Sequence, residues 1–273
     1  MAETSNVVIV AKMAIIAILA TIAEVVVLPV CNANKMSTHY YIIVVAAGSG
    51  SRFGGEVPKQ FVMLGGMPVL ARTIGAFAEA MPGAEIVPVL SSDMFGFWEN
   101  LCTSCGVVSP RPVGGGSTRW ESVKNALTVI AERHYASFPG EEAVVLVHDG
   151  ARPLVSKEVI LAAAHAAMQA DGAIPAVEVT DSLRTAGIDG EPSKAVDRSL
   201  LRAVQTPQAF RLSVLEKAYQ LPYTPLFTDD ASVVEAAGFT GIVLTPGSPE
   251  NLKITNPSDI IVAEAILRAK GKI

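Results

Sequence analysis

The sequence predicts an α/β fold, a mostly parallel twisted sheet with helices on both faces. Short apolar runs, such as YYIIVVAA at 40–47 and AVVLV at 143–147, have the composition of strands that are buried on both sides. These runs alternate with segments whose apolar residues recur at helical spacing, which is typical of a parallel sheet covered by helices. A length of 273 residues allows one large domain or two small ones.

Local patterns predict each element in turn. Apolar runs bounded by polar turns predict strands, whereas apolar spacing and capping residues predict helices. Val69, Leu70, Ile74 and Phe77 share one helix face, and Ser156 is placed to cap the helix after it. The expected order is a strand at 40–47, a helix at 68–80, a strand at 85–90, a helix at 94–105, a strand at 107–113, a helix at 117–134, a strand at 143–147, a helix at 156–170, a strand at 173–179, helices at 211–219 and 229–237, a strand at 241–244 and a helix at 258–270.

Residues 180–205 interrupt this alternation. They are polar and punctuated by Gly and Pro, a composition that does not indicate core. We therefore expect a protruding β-arm at about 180–205 within a single domain that spans 36–273.

The first 35 residues form a separate apolar extension. Residues 7–30 carry only Lys12 and Glu24 as charged side chains. Three interpretations remain open: a start assigned upstream of Met36, a membrane anchor, or a signal peptide or packed helix. The first predicts that a chain beginning at Met36 is soluble, active and cytoplasmic. Membrane association is expected only if 7–30 are an anchor.

The composition excludes several classes of protein. Lys and Arg number 21 against 26 Asp and Glu, so the net charge is −5 and the isoelectric point is about 5.4. Without a basic excess, non-specific binding to nucleic acid has no electrostatic basis. The three cysteines fit a reducing compartment. Cys102 and Cys105 lack a second pair, so we expect idle thiols rather than a zinc or redox site.

A Gly-rich segment after the first strand predicts an anion-binding loop. Residues 46–55 read AAGSGSRFGG, and Arg52 and Lys59 add a positive charge at each end. Glycines let backbone N–H groups approach a phosphate closely. A dinucleotide fingerprint would need glycine at Phe53, and a Walker A loop would need a Gly-Lys pair where Gly55-Glu56 stands. The loop therefore belongs to neither of these classes.

Two further polar segments follow predicted strands, where α/β sheets bind ligands. GGGSTR at 114–119 opens a helix, whose free N–H groups can bind an anion or read a base edge. HDGARP at 148–153 ends a strand: Asp149 suits Mg²⁺ or a sugar hydroxyl, Arg152 suits a phosphate, and His148 is expected to be structural. A scattered polar set completes the candidates, at 180–182, 197–198, 206–208, 228–230 and 251–253.

Seven ordered motifs resemble those of the 2-C-methyl-D-erythritol 4-phosphate cytidylyltransferase family. They are AAGSGSRFGGEVPKQF, GGGSTRWESV, VHDGARP, VTDSLR, AVDRSLLRAVQTPQAF, TDDAS and ENLKIT, and they cover about residues 40–270. The resemblance implies a fold of the nucleotide-diphospho-sugar transferase type and a homodimer whose arm reaches into the partner's site. It also implies transfer of CMP from CTP to a polyol phosphate, 2-C-methyl-D-erythritol 4-phosphate, with Mg²⁺ bridging the phosphates.

The resemblance further implies roles for individual residues. Arg52 and Lys59 would hold the triphosphate, and Lys253 would neutralise the α-phosphate. The implied catalytic residues are Arg52, Lys59, Arg198 and Lys253. The implied nucleotide-binding residues are Ala46, Ala47, Gly48, Ser49, Gly50, Gly116, Ser117 and Ser122, with Ala47, Gly116 and Ser122 around cytosine. The implied substrate-binding residues are Asp149, which would also serve Mg²⁺, Arg152, Ser182, Arg198 and Thr228, with Ser182 and Arg198 contributed by the other subunit.

The chain departs from the family pattern at three positions. Ser117 stands where an acidic residue is common, which puts one cytosine contact in question. Ser182 replaces the more usual Thr but keeps the hydroxyl group. Gly150 replaces a usual Ala, a change that we expect to matter little.

Other functions are compatible with parts of the pattern. A ribitol-5-phosphate or other polyol-phosphate cytidylyltransferase shares the Gly loop, H-D-x-x-R-P and T-P-Q, but Asp197-Arg198 ahead of QTPQ favours methylerythritol phosphate. A catalytically silent nucleotide-binding protein is disfavoured because the charged residues are intact, namely Arg52, Lys59, Asp149 and Lys253. A nicotinamide-dependent dehydrogenase is disfavoured by Phe53.

Overall fold

A central sheet of eight strands organises the residues that the structure describes. That structure is a computed structural model, and it describes residues 38–48, 53, 57–187 and 192–273. The interpretations offered for the N-terminal extension at 1–35 lie outside the described residues.

The elements alternate between strands and helices along most of the chain. The strands are β1 (His39–Val45), β2 (Met63–Leu64), β3 (Met67–Pro68), β4 (Glu85–Leu90), β5 (Val113–Gly114), β6 (Ala143–Asp149), β7 (Gly172–Glu178), β8 (Leu183–Arg184), β9 (Ala195–Val196), β10 (Arg202–Val204), β11 (Gln208–Arg211) and β12 (Ile242–Pro246). The α-helices are α1 (Val69–Ala80), α2 (Phe95–Ser104), α3 (Arg119–Ser137), α4 (Lys157–Ala167), α5 (Leu212–Ala218), α6 (Asp230–Ala236) and α7 (Pro257–Ala269). Short 3-10 turns lie at Lys59–Phe61 and Ser92–Met94.

The pairing of the strands makes the sheet mostly parallel. β1 pairs in parallel with β4 and β6, β4 pairs in parallel with β5, and β7 pairs in parallel with β12. β11 is antiparallel to both β6 and β7, so those two run in the same direction. β10 is also antiparallel to β7. The carboxyl ends of β1, β4 and β6 therefore meet at one edge, where Val45 is level with Val89 and Asp149.

Apolar layers pack on both faces of the sheet, as the sequence predicts. Neighbouring residues of β1 point to opposite faces, so Ile42 and Val44 join one cluster while Tyr41 and Ile43 join the other. Helices α1, α2 and α4 cover the first face, and α3, α5 and α6 cover the second. Full burial of each large apolar side chain contributes about 1.5–3 kcal/mol to folding. The α/β fold class is thus confirmed.

The strands differ from the prediction in several places, which include the unpredicted pair of β2 and β3. The strand expected at 107–113 is wrong for most of its length, because only Val113–Gly114 pair with β4. Conversely, the short strand β11 between β6 and β7 was not predicted. Its four residues carry no alternation that separates a strand from the turn before it, so only the pairing partners define it.

The segment at 180–205 contains the small antiparallel pair of β8 and β9. Its last residues behave differently, because β10 pairs with β7 in the central sheet. The helix predicted at 156–170 ends at Ala167, three residues early.

In the described part of the chain, no helix combines the length and apolar character needed to span a bilayer. Cys102 is buried and Cys105 half-buried, and both are free thiols. Burial raises the pKa of the Cys102 thiol to about 11, with a smaller contribution from Cys105.

Candidate active site

A cavity of about 550 Å³ opens at the carboxyl ends of β1 and β6. Segments that are far apart in sequence form its wall: the loop after β1, the 3-10 turn at Lys59–Phe61, the start of α3, the end of β6 and the segment before α7. Nine residues that the sequence analysis selected line this cavity: Ala46, Ala47, Gly48, Lys59, Gly116, Ser117, Ser122, Asp149 and Lys253. Three others, Ser49, Gly50 and Arg52, lie outside the described residues.

Gln60 holds the start of the Gly-rich loop in place. Its buried side-chain amide donates to the carbonyl oxygens of Ala46 at 2.8 Å and Gly48 at 3.0 Å. The same 3-10 turn presents Lys59 to the cavity. Gln60 belongs to the first of the seven motifs, but the sequence predicts no role for it. A sequence does not show which carbonyl groups a side-chain amide will reach.

The backbone N–H groups at 115–118 are occupied, which corrects the expectation that they are free. Gly115 donates to the carbonyl oxygen of Leu90 at 2.7 Å, and Gly116 donates to Ser122 Oγ at 3.1 Å. Ser117 and Thr118 donate to Glu121 Oε2 at 2.7 and 3.2 Å. Because the Glu121 carboxylate occupies these last two donors, they hold the loop in shape rather than stand open for an anion.

A capping box explains why the loop is so ordered. Thr118 Oγ1 accepts the N–H of Glu121 at 3.0 Å, while the Glu121 carboxylate reaches back to the loop. The Ser117 hydroxyl also donates to Glu121, at 2.5 Å, and these bonds lower the pKa of the Glu121 carboxyl. The T-x-x-E pattern of Thr118 and Glu121 is the sequence signal for this box as well as for the start of the helix.

Two glycines are required for the shape of the cavity. A Cβ on Gly115 would collide with Ala47 Cβ and lie 3.0 Å from Ser122 Oγ. A Cβ on Gly116 would collide with Glu121. The residues expected around cytosine therefore form one closely packed wall, in which any added side chain would displace its neighbours.

Gly150 is also constrained, contrary to the expectation that its replacement of a usual Ala matters little. A Cβ at Gly150 would lie 2.9 Å from Ala46 Cβ and 3.0 Å from the Val45 carbonyl oxygen. An alanine there would force the start of the Gly-rich loop to move.

Asp149 is the centre of charge in the cavity. Lys253 Nζ lies 2.9 Å from Oδ2, Arg152 Nε lies 3.4 Å from Oδ2, and Arg119 Nε lies 3.6 Å from Oδ1. Burial opposes ionisation of this carboxyl, but the three cations outweigh burial and hold its pKa well below the usual range. Asp149 is therefore a carboxylate throughout the physiological pH range.

The structure brings Lys253 to this site through the segment before α7. Ile254 is fully buried and donates its N–H to the carbonyl oxygen of Ala151 at 2.8 Å. The side chain of buried Asn251 donates to the carbonyl oxygen of Thr206 at 2.9 Å. The first bond fixes ENLKIT against the loop after β6 and the second fixes it against the segment before β11, a proximity that the sequence pattern alone did not show.

Arg119 was quoted within GGGSTR but not selected, and it proves to be a structural centre of the site. Its guanidinium makes two parallel bonds to Asp230, at 3.0 and 2.7 Å, and Asp230 is fully buried. Tyr219 donates its hydroxyl to Asp230 at 2.7 Å. Burial opposes the charge of Arg119, but Asp230 and Asp149 raise its pKa. Nothing in the sequence separated Asp230 from an ordinary helix cap.

His148 lies under the site, in agreement with its expected structural role. Its Nε2 is 3.2 Å from the carbonyl oxygen of Arg152, and its Nδ1 is 3.0 Å from Thr206 Oγ1. Thr206 Oγ1 also accepts the N–H of Asp149 at 3.1 Å. Burial lowers the pKa of His148 to about 4, so the ring is neutral at pH 7 and fixes the backbone on both sides of Gly150.

Four residues selected for the polyol phosphate do not line the described cavity of one chain: Arg152, Ser182, Arg198 and Thr228. Arg152 donates to the carbonyl oxygen of Asn251 at 2.7 Å, beside Asp149. Ser182 and Arg198 are exposed on the arm, where Arg198 contacts the Thr180 carbonyl oxygen. Thr228 is exposed just before the Asp229 cap of α6.

The donor set decides how a divalent cation can fit. Among the described residues, no group of three or more His, Cys, Asp or Glu side chains is placed to hold a metal ion. Of the described residues that line the cavity, Asp149 is the one carboxylate, and it lies beside three cations. Magnesium commonly binds through one or two carboxylates together with substrate phosphates. These residues therefore fit a cation that arrives with a triphosphate.

Comparisons with known proteins agree with this geometry. Residues 40–269 match the family described as 2-C-methyl-D-erythritol 4-phosphate cytidylyltransferase. A protein of that name from Phocaeicola vulgatus is 41% identical over 228 residues, which cover 83% of this chain and 99% of the relative.

Solved structures are similar as well. A crystal structure of a 4-diphosphocytidyl-2C-methyl-D-erythritol synthase matches with a TM-score of 0.68 and 33% identity, over 84% of this chain and 98% of that one. A Francisella tularensis 2-C-methyl-D-erythritol 4-phosphate cytidylyltransferase matches with a TM-score of 0.66 and 30% identity, over 84% and 99%.

Proposed function

Since this chain belongs to the 2-C-methyl-D-erythritol 4-phosphate cytidylyltransferase family, we propose that the cavity at the ends of β1 and β6 carries out the family's reaction. The enzyme is a nucleotidyltransferase that transfers CMP from CTP to 2-C-methyl-D-erythritol 4-phosphate, in isoprenoid precursor biosynthesis. The products are 4-diphosphocytidyl-2-C-methyl-D-erythritol and pyrophosphate. The observation that carries the assignment to this cavity is that Lys59 and Lys253 line it together with the start of the Gly-rich loop, with Lys253 beside Asp149.

The reaction is an in-line displacement at phosphorus. An oxygen of the substrate phosphate forms a bond to the α-phosphorus of CTP, while the bond to the bridging oxygen of pyrophosphate breaks. Such a transfer depends on positioning and on neutralising charge rather than on a covalent intermediate. Two lysines and a Gly-rich loop in a cavity of this size are the groups that the reaction requires.

Lys59 and Lys253 would neutralise the triphosphate, together with Arg52. The Lys253 side chain is 42% exposed and pairs with Asp149 at 2.9 Å. Its flexible stem allows the ammonium group to move from this carboxylate to an α-phosphate in the same cavity. Charge that develops in the transition state would then meet a cation that is already in place.

The cytosine would lie against the wall formed by Ala47, Gly116 and Ser122. Ser117 offers a hydroxyl where relatives commonly have an acid, but that hydroxyl is bonded to Glu121 at 2.5 Å. We propose that the Ser117 and Glu121 pair together supply the acidic character of the base pocket. Asp149 would bind the ribose, a substrate hydroxyl or Mg²⁺, and the cation supplies charge neutralisation of the phosphates.

A homodimer would complete the polyol phosphate site. Arg152 and Thr228 would come from one subunit, and Ser182 and Arg198 from the arm of the other. Two observations support this arrangement: the arm residues do not line the cavity of their own chain, and Leu200 on the same arm is 89% exposed. Leu201 and Val204 on the same arm are 37% and 46% exposed, and a group of exposed apolar side chains, unlike a single one, is typical of a surface that contacts a partner. We also propose a cytoplasmic location, which the free thiols of Cys102 and Cys105 support.

Pyrophosphate release by the full chain tests the function. The assay contains CTP and Mg²⁺ with either 2-C-methyl-D-erythritol 4-phosphate or ribitol 5-phosphate. We expect release with the methylerythritol substrate alone. Release only with ribitol 5-phosphate would keep the chemistry and reassign the substrate, because Asp197-Arg198 is the sequence feature that favours methylerythritol phosphate.

A further inference from the structure

An arginine in a phosphate-binding cavity is usually available to its ligand, but Arg119 is committed elsewhere. Both of its terminal nitrogens bond to Asp230, Nη1 to Oδ1 at 3.0 Å and Nη2 to Oδ2 at 2.7 Å. Its Nε lies 3.6 Å from Asp149 Oδ1. Two of the five N–H groups of Arg119 thus bond to a residue that does not line the cavity, and they fix the orientation of the guanidinium.

The surroundings of Asp230 stabilise its contact with Arg119. Its side chain is fully buried, and it accepts a further bond from the Tyr219 hydroxyl at 2.7 Å. A buried carboxylate is costly unless it is paired and its lone pairs are satisfied, and here Arg119 supplies the charge while Tyr219 supplies an additional donor. The geometry is bidentate, which fixes the plane of the guanidinium as well as its position.

The contact joins three elements of the site. Arg119 is the first residue of α3, Asp149 is the last residue of β6, and Asp230 is the first residue of α6. Gln208 secures α6 independently, because its amide donates to Asp229 at 2.8 Å and accepts the N–H of Ala231 at 3.0 Å. The start of α6 is therefore a fixed anchor against which Arg119 is held.

We propose that Asp230 is a positioning residue that acts through Arg119 on Asp149. By bonding to both terminal nitrogens, Asp230 fixes the plane of the guanidinium, holds its Nε beside the carboxylate and offsets the positive charge that would otherwise draw Arg119 to the incoming triphosphate. This inference rests on the proposed function, in which Asp149 contacts the nucleotide, its cation or the substrate. Without Asp230, the freed fork turns to the nearest anions, which are Asp149 and the phosphates of CTP.

The variant Asp230→Asn separates this role from a structural one. The asparagine amide keeps the size of the side chain and removes the negative charge that pairs with the two terminal nitrogens of Arg119. We expect kcat to fall about tenfold or more, while KM for CTP stays the same or falls because the released guanidinium adds a non-productive contact. If the substitution acts only by loosening the fold, KM for CTP would rise. That result would overturn the proposal.

A double-mutant cycle tests the route through Arg119. If Asp230 acts through the arginine, adding Asp230→Asn to Arg119→Gln should change kcat less than about twofold beyond the Arg119→Gln variant alone. Multiplication of the two separate losses would contradict the proposal. Tyr219→Phe is the matched control, because it removes a bond to Asp230 but leaves the fork and its charge; its kcat should stay within about twofold of wild type while its unfolding temperature falls.

Two further measurements keep the proposal open to refutation if Asp230→Asn fails to fold or turnover is absent. Arg119→Lys retains the charge but cannot span both carboxylate oxygens, so we expect its kcat to fall about tenfold; kcat within twofold of wild type would refute the role of the fork. Calorimetric titration with CTP needs no turnover and is performed on every folded variant. If wild type binds CTP without releasing pyrophosphate, the proposed reaction fails, whereas weaker CTP binding by Asp230→Asn would refute the positioning role.

Discussion

The two ends of β1 open onto cavities of nearly equal size. The one at the carboxyl end measures about 550 Å³, and the one at the amino end, lined by residues such as His39, Glu85 and His165, measures about 570 Å³. At the amino end the polar side chains contact each other one to one, His39 with Glu141 and Glu85 with Arg133. At the carboxyl end, cations from three separate segments converge on one carboxylate.

The comparison shows that the volume of a cavity does not by itself identify the functional site in this fold. Parallel strands release their loops at the same edge, so residues that are distant in sequence meet there by topology alone. At the amino end the exposed pair of Glu85 and Arg133 neutralises itself and leaves little field for an anionic substrate. Convergent, partly buried charges do provide such a field.

Loss of Lys59 or Lys253 at the carboxyl end should have the largest effect on activity. We expect Lys59→Ala or Lys253→Ala to lower kcat by about 10²–10³ or more, because each would remove a charge contact made in the transition state. Steady-state pyrophosphate release measures the change. Lys157→Ala, at an exposed lysine that does not line the cavity, is the control. Turnover like wild type in either lysine variant would refute the assigned role.

The buried His148 makes the stability of the carboxyl end depend on pH. Its folded-state pKa of about 4 lies below the ordinary value of 6.5. The unfolded chain therefore takes up a proton first as the pH falls through 6.5, and stability is lost progressively down to about pH 4. Between pH 7 and pH 5 the free energy of unfolding should fall by about 2 kcal/mol from this group.

Urea unfolding at the two pH values measures this loss, and His148→Gln is the comparison. In that variant, the slope of the free energy of unfolding against pH should be smaller over the same window, by the equivalent of about one bound proton. An unchanged slope would show that His148 titrates alike in the folded and unfolded states.

Gly115→Ala should narrow the proposed base pocket without touching its charges. The new methyl group collides with Ala47, so the wall must move into or away from the cavity. We expect KM for CTP to rise about tenfold, with a smaller change in kcat. The substitution should weaken binding of CTP in the ground state about as much as in the transition state. Gly75→Ala is the control, since nothing lies within 4 Å of a Cβ there. Unchanged KM would place the cytosine elsewhere.

The smallest effect is expected at the opposite end of the sheet. His165 is exposed and lines the amino-end cavity. His165→Ala should leave kcat and both KM values within about twofold of wild type, as surface substitutions usually do. A tenfold loss of activity would break the contrast between the two ends and would require a functional role for the amino-end cavity.

Much of the candidate site could be predicted because its residues lie in short motifs next to strands. The Gly-rich loop, GGGSTR and HDGARP each follow a predicted strand, and local patterns are sufficient to recognise them. The strand β11 and the short β5 could not be placed in this way, because a run of two to four residues has no periodicity and becomes a strand only through its partners. The expectation of free N–H groups at 115–118 failed for a related reason: Glu121 within the motif accepts two of them, while Ser122 and the Leu90 carbonyl oxygen accept the other two.

The fold class, the family and the chemical types at the site follow from the amino-acid sequence alone, because hydrophobic periodicity and motif spacing are local properties of the chain. Which charges meet depends on the tertiary structure. The fold brings Lys253 to Asp149 across 103 intervening residues and pairs both terminal nitrogens of Arg119 with Asp230. Pairing between distant side chains depends on packing geometry, since many arrangements share one pattern of residue types and only the folded core selects among them.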